Sequence, residues 1–373
     1  MMAERFAAQL LSGEPAHSAV DVVTRLLAVQ GQDPRGARLA IRARSAGLTR
    51  ADVDRALTDE RSLLITWLNR GTLHLVRSED YWWLHRLTTP QLFAGSARRL
   101  AQEGVPPEDA DRAVAAIEAA LAADGPLTRA QLRERIAATG VRTEGQALIH
   151  ILALAALRGR TVRGPMIGGE HAHTLVRDWL GAPPALPDRD VALAELARRY
   201  LAGHGPATDR DLARWAGLPL RDARHGLAGI APELGERDDG LASLTGGSGG
   251  SGSSGGSGGS GGSDRSGGSG GSGGARAVGD RDGRGFPPPR LLGSFDPLLH
   301  GWVSRQPVLG ARQDIVTSNG VFRPFALVRG CAVATWSIAR GRVTLAPFAP
   351  LAADDEAALA ADGADVLRFL ELA

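Results

Sequence analysis

The chain has 373 residues, with 43 basic side chains against 41 acidic ones and a net charge of +2, so bulk charge does not point to nucleic acid. Every basic residue is arginine, which excludes a lysine Schiff base and a Walker A lysine. Cys331 is the only cysteine, leaving no disulfide framework and no cysteine-based zinc site, and no apolar run approaches the roughly 18–20 residues that span a bilayer. With a mixed opening, "MMAERFAAQLLSGEPAH", that carries no signal pattern, the expectation is a soluble cytoplasmic protein of two or three domains.

The first clear element is "SAVDVVTRLLAVQ", with apolar residues at helical spacing and Ser18 as its cap. Gly31 reads as the left-handed stop of this helix. Asp33 reads as the N-cap of the next and Pro34 as its first residue. Gln30 and Gln32 therefore sit at a tight joint between two helices, where the plain role of an amide is to cap free backbone groups. Arg35, Arg38 and Arg42 follow at spacings of three and four, with Arg44 and Arg50 close behind. That stripe reads either as a solvated helix face or as a phosphate-contacting one.

A repeat comes next. "LTRADVDRAL" at Leu48, "LTRAQLRERI" at Leu127 and "ATDRDLARWAG" at Ala207 each open a helix with a threonine cap (Thr49, Thr128, Thr208). Asp52, Gln131 and Asp211 stand three residues later in capping-box spacing. The second copy continues with a turn at Gly140, a further cap at Thr143 with Gln146, an apolar helix to Leu157 and a glycine-punctuated alternating segment. Helix, turn, helix, hairpin is the layout of a winged helix. The second helix of this copy is apolar around most of its circumference, which suits packing better than a major groove. The third copy offers Arg221, Arg224 and His225, a better but single DNA face. Scaffolding is the favoured role for all three.

Residues 246–274 are almost wholly glycine and serine and cannot bury a core. Beyond them, "FALVRGCAVATWSIARGRVTLAPF" alternates like strands, with hairpin turns at "RG" and "RGR", and a helical stretch closes the chain. The expected fold is α+β: three mainly helical, tandem winged helix-turn-helix repeats followed by a small β-rich C-terminal domain. The divisions fall at 1–125, 126–180, 181–245, a linker at 246–289, and 290–373.

The turn "QGQDPRGAR", with "TWLNRGTLHLV" from Thr66, "LLGSFDPLLHGWVSR" from Leu291 and "NGVFRPFALVRGCAVATW" from Asn319, resembles the winged-helix DNA glycosylases of the azinomycin-resistance type (AlkZ-like, related to the YcaQ group). The resemblance covers nearly the whole chain except the Gly/Ser stretch. It implies a C-shaped monomer of tandem winged helices curved around double-stranded DNA. It implies hydrolysis of N-alkylated purines at N7 or N3, interstrand crosslinks included, with the catalytic role on Gln30 and Gln32. One departure is Gly31, where the best-known members carry an apolar residue.

An amide is a poor proton acceptor, which disqualifies it for most hydrolyses. An N7-alkylated purine already carries positive charge and leaves without protonation, so holding a water and favouring charge at the sugar suffices. Asp33 is the rival group, although an N-cap carboxylate is occupied by backbone N–H groups. Asp296 is a second supporting carboxylate that could, with His300, line the cleft. Arg35, Arg38, Arg42, Arg44, Arg70, His74 and Arg305 are the candidate DNA contacts. His171 and His173 lack an evident third ligand, and Trp82 and Trp83 read as core. No metal, cofactor or membrane partner is expected. The competing reading is a non-catalytic winged-helix DNA-binding protein or regulator, which would bind one sequence and release no base.

Overall fold

A computed structural model of the chain describes residues 1–245 and 285–372, apart from 311, 313 and 318. The segment read as a linker, 246–289, lies outside the described residues except at 285–289. Helices α1 (Met2–Ala8) and α2 (Ala19–Leu26) lead into a two-residue strand β1 (Val29–Gln30) and helix α3 (Pro34–Arg42). Helix α4 (Arg50–Thr58) precedes the hairpin of β2 (Leu63–Leu68) and β3 (Thr72–Arg77). Helices α5 (Tyr81–Thr88), α6 (Phe93–Gln102) and α7 (Pro107–Asp124) connect it to α8 (Arg129–Ala137), α9 (Ala147–Leu157) and a second hairpin, β4 (Thr161–Ile167) and β5 (Glu170–Leu175). Then come α10 (Val176–Leu180), α11 (Arg189–His204), α12 (Asp209–Ala216) and α13 (Leu220–Gly229). The C-terminal part holds β6 (Arg290–Leu292), α14 (Gln306–Leu309), β7 (Phe325–Val328), β8 (Cys331–Ala339), β9 (Arg342–Pro347) and α15 (Ala353–Phe369).

The three repeated helix starts form as their spacing dictates. Asp52, Gln131 and Asp211 accept the backbone N–H of Thr49, Thr128 and Thr208 at 2.7, 2.9 and 2.9 Å. The cap expected at Thr143 and Gln146 does not form. Thr143 is buried, and the Gln146 N–H donates across to Glu103 Oε2 at 3.0 Å. A carboxylate just beyond α6 thus supplies the acceptor that the local side chain was expected to give.

The two hairpins join one antiparallel sheet of order β1-β3-β2-β4-β5, meeting through Ile65 and Arg163. All of β2 is buried because both faces are covered. Leu63, Ile65, Leu73 and Leu75 enter an apolar cluster with α2, α3, α4, α7 and α9. Leu64, Leu68 and Val76 enter a second with α5, α11, α12 and α13. Strand alternation thereby sorts one hairpin into two cores. After α13, only isolated bridges (Ala207 with Ala242, Leu234 with Leu244) stand where a third hairpin was expected, among the described residues.

The C-terminal sheet is antiparallel in the order β6-β7-β8-β9. Its turns fall at Arg329-Gly330 (φ 48° and 78°) and Arg340-Gly341 (φ 52° and 72°), the paired positive φ that a two-residue hairpin needs. Residues 290–305 return to the N-terminal region. A Cβ on Gly36 would lie 2.2 Å from the Ser294 carbonyl oxygen, and one on Gly293 would lie 3.0 Å from the Gly36 Cα, so this contact exists only because both residues are glycine. From the other side, Tyr200 Oη donates to the Gly301 carbonyl at 2.7 Å, Trp302 Nε1 to the His204 carbonyl at 3.0 Å, and the Val303 N–H to Asp211 Oδ1 at 2.8 Å. Among the described residues no helix is long and apolar enough to cross a membrane.

Candidate active site

The joint between α2 and α3 is tighter than its sequence implies. Leu27, not Gly31, takes the left-handed turn, with φ +62°. Gly31 keeps an ordinary φ, and its N–H donates to the Leu73 carbonyl at 2.7 Å. A Cβ there would come 3.3 Å from Ile65 Cγ2, so Gly31 answers to the close approach of β2 and β3 rather than to handedness. Strand β1 pairs with β3, which sets Gln30 opposite His74, and Thr66 of β2 faces His74 from the other side. Asp33 caps α3 by accepting the Arg35 N–H at 3.0 Å, and Pro34 opens the helix.

The two glutamines are held differently. Gln30 is only 6% exposed, and its Oε1 accepts from Arg70 Nη2 at 3.3 Å. Gln32 is exposed, and its Oε1 accepts the Leu73 N–H at 3.3 Å. Each amide is thereby oriented by its oxygen, and neither Nε2 has a protein acceptor among the described residues.

Around them the chain gathers cations and neutral rings. Arg70 also donates to the Trp215 carbonyl, and burial followed by the charges of Arg214 and Arg305 pushes its pKa down to about 10. No carboxylate pairs with Arg70, Arg214 or Arg305 among the described residues. Burial, then Arg70, lowers the His74 pKa to about 3, so the ring is neutral at pH 7. Its Nδ1 lies 2.9 Å from the Thr72 carbonyl, which assigns the proton to Nδ1 and leaves Nε2 as an acceptor. His300 joins this group, as its place in "FDPLLHGW" suggested. Burial, then Arg70, Arg305 and His74, hold its pKa well below the usual value. Its ring packs 4.3 Å from Phe322 and 6.1 Å from Phe295, the latter turned by a φ of +58° that a bulky residue rarely adopts. Arg305 lies over Phe322 at 5.0 Å and donates to the Leu299 carbonyl at 2.7 Å.

This constellation sits in a chain whose residues 23–369 match the description of the AlkZ-like DNA glycosylase family. The chain belongs to that family. An interstrand DNA cross-link repair glycosylase of Streptomyces sahachiroi is 28% identical over 365 residues, which are 93% of this chain and 90% of that protein. The solved structure of the Streptomyces sahachiroi DNA glycosylase AlkZ superposes with a TM-score of 0.69 at 26% identity, over 99% of this chain and 95% of that one. The resemblance carried by the glutamine turn is therefore borne out at the level of the AlkZ-like family, and the mixed helix-and-sheet fold matches its solved member.

Within this AlkZ-like fold several residues named as DNA contacts do other work. Arg38 is buried against Asp54, with Nη1 2.9 Å from the Pro34 carbonyl and 3.1 Å from His171 Nε2. Arg42 reaches Asp362 and Asp365 of α15 at 2.9 Å and donates to the Leu291 carbonyl. Arg44 forms a two-pronged pair with Asp296 at 2.8 and 2.9 Å, and both side chains are fully buried. The stripe faces inward because α4 brings Asp54 to Arg38 and the C-terminal part brings carboxylates to Arg42 and Arg44; phosphates cannot reach these three. Asp296 is likewise removed from the supporting role, since one oxygen also accepts the Leu298 N–H at 2.9 Å. His74 is too enclosed to contact a phosphate. Among the described residues, Arg35 alone in the stripe is exposed with no ion pair.

The remaining candidates fall as follows. Arg224 and His225 pair with Asp209 and Asp190 at 2.7 and 3.0 Å, and Arg221 lies 3.7 Å from Asp222. His173 is buried on β5 opposite Arg163, and His171 meets Arg38. Trp83 donates from Nε1 to Asp80 at 3.1 Å, and Trp82 packs edge-on against Tyr81. Arg214 and Phe322 were missed: nothing in the local pattern of "LARWAG" or "NGVFRP" marks them, because their neighbours come from far along the chain.

Proposed function

We propose that this chain is a monofunctional DNA glycosylase that hydrolyses the N-glycosidic bond of N-alkylated purines in double-stranded DNA, interstrand crosslinks included. The observation that carries this reading is the pair of oxygen-anchored amides, Gln30 and Gln32, beside Arg70, which no carboxylate pairs among the described residues. The cross-link repair function named for the Streptomyces sahachiroi relative supports the substrate class.

In this reading the bond from C1′ to N9 of the N7- or N3-alkylated purine breaks with both electrons going to the base, which thereby loses its positive charge and leaves neutral. The sugar is left as an oxocarbenium ion. Water adds at C1′ and loses a proton to solvent, giving an abasic site. Exposed Gln32 holds that water, and Gln30, fixed by Arg70, braces it. Catalysis rests on position and electrostatics rather than on a strong base. With no lysine, no side-chain amine competes with water for the sugar. The winged-helix repeats act as the scaffold that curves around the duplex, and the protein works as a monomer.

The test is incubation of purified protein with duplex DNA bearing N7-methylguanine, then with a defined N7-linked crosslink. Abasic sites above spontaneous loss, abolished by Gln32→Ala, support the reading. Loss at the spontaneous rate, with selection of bound sequences returning one strong motif, replaces it with the regulator.

A further inference from the structure

Beyond the glutamine joint, a cavity of about 400 Å³ opens beside the β2–β3 turn, between α6 and α9. Trp67, Leu92 and Leu157 give it apolar walls, while Arg70, Arg98 and Arg99 bring positive charge. Arg98 and Arg99 are exposed, and Arg99 reaches only Gln102, at 3.1 Å. Ser96, also in the wall, has a buried hydroxyl with no partner. Gly95 leaves this side of α6 open, since a Cβ there would meet nothing within 4 Å. Trp67 carries a further cation, Arg163, 4.7 Å over its ring. No acid lines the cavity among the described residues, and Glu103, just beyond α6, accepts the Gln146 N–H.

A buried cation without a counter-ion is costly to keep. Arg70 is half-buried and has no carboxylate partner among the described residues, and it touches both this cavity and Gln30. An apolar wall for a deoxyribose, three guanidiniums for a diester and a spare hydroxyl together suit one sugar–phosphate unit. We infer that this cavity binds a backbone phosphate of the DNA strand whose nucleotide sits at Gln30, so that Arg70 ties strand position to amide orientation. The inference rests on the DNA-glycosylase reading for its ligand, and its test does not depend on excision.

The experiment measures affinity for an undamaged duplex across a salt series by fluorescence anisotropy, comparing the full-length protein with Arg98→Gln/Arg99→Gln. Losing the contacts to that one phosphate should reduce the slope of log affinity against log salt by up to about 0.9. The conservative pair Arg98→Lys/Arg99→Lys should keep most of the slope. Arg340→Gln/Arg342→Gln, the same charge change on the β8–β9 turn, should leave it intact. Melting temperature checks that each variant folds. An unchanged slope in Arg98→Gln/Arg99→Gln, or an equal loss in the β8–β9 control, overturns the inference. So does a cavity that binds inorganic phosphate in calorimetry while the DNA slope stays fixed, which would assign it to a free anion. Because the duplex is undamaged, a protein that binds with the expected slopes but never releases a base would fail the glycosylase reading and keep the phosphate site.

Discussion

The arginines of α3 and those around Arg70 are chemically identical and do opposite things. Arg38, Arg42 and Arg44 each meet a carboxylate, so their charge is cancelled inside the protein and they fasten distant segments together. Arg70, Arg214 and Arg305 meet none among the described residues, and burial followed by the charge of Arg214 lowers the basicity of both Arg70 and Arg305. The difference is set by where Asp54, Asp362 and Asp296 arrive, not by helical spacing. A guanidinium paired in the interior holds structure, and one left unpaired at a cleft is ready for an anionic ligand.

The strongest challenge to this contrast is Arg44→Ala. It strands the fully buried Asp296 carboxylate and should cost about 3–5 kcal/mol of stability, read from urea unfolding. Replacing both partners, Arg44→Met with Asp296→Leu, should recover most of that loss. A small effect from Arg44→Ala alone would undo the division into structural and ligand-facing arginines. Next comes Gln32→Ala, which should lower base excision about a hundred- to a thousandfold in single-turnover assays. Stability should barely change, because the one side-chain bond lost among the described residues is that from the Leu73 N–H.

Acid should distinguish the buried rings. His74, His171 and His204 have folded pKa values lowered to about 3, chiefly by burial. The unfolded chain takes up protons near pH 6.5 that the folded chain refuses. The stability they contribute is therefore present above about pH 6.5 and is lost as pH falls toward 3, at up to about 1.4 kcal/mol per pH unit for each ring. His74→Gln should make the fall in urea stability shallower by one ring's share. Excision itself should be flat between about pH 6.5 and 9, since His74 titrates far below that window and Arg70, at about 10, lies above it. The smallest effect belongs to Arg35→Gln: one exposed cation lost should trim the salt slope of DNA binding by about 0.9 without touching stability.

Local chemistry was legible in the sequence. The boxes at Thr49, Thr128 and Thr208, the Ser18 and Asp33 caps, and the turns at Arg329-Gly330 and Arg340-Gly341 all depend on residues a few positions apart. The glutamine joint was legible as a place, and its family resemblance held. What failed depends on partners far away. Arg44 and Asp296 are 252 residues apart, and Arg42 and Asp362 are 320 apart. Gly31 was assigned to handedness because β2 and β3, which actually crowd it, announce nothing to residue 31 in advance. The Gln146 backbone found its acceptor at Glu103 for the same reason. Arg70's place against Gln30 follows from β1 joining the sheet beside β3, a pairing of two residues too short to read from pattern.

The contact of Gly36 with Gly293 and Ser294 has a consequence for how the protein comes into being. As the chain leaves the ribosome, α3 emerges long before residues 290–305 exist. Until they arrive, Arg42 and Arg44 have neither the Leu291 carbonyl nor the carboxylates of Asp296 and Asp362, and the flank of α3 that carries Gly36 is bare. The N-terminal portion must therefore wait for the end of the chain. A fragment stopping at residue 245 should be a poor folder and an easy meal for proteases. A single cut between residues 246 and 284 of the finished protein should instead leave two pieces that stay clasped and soluble together.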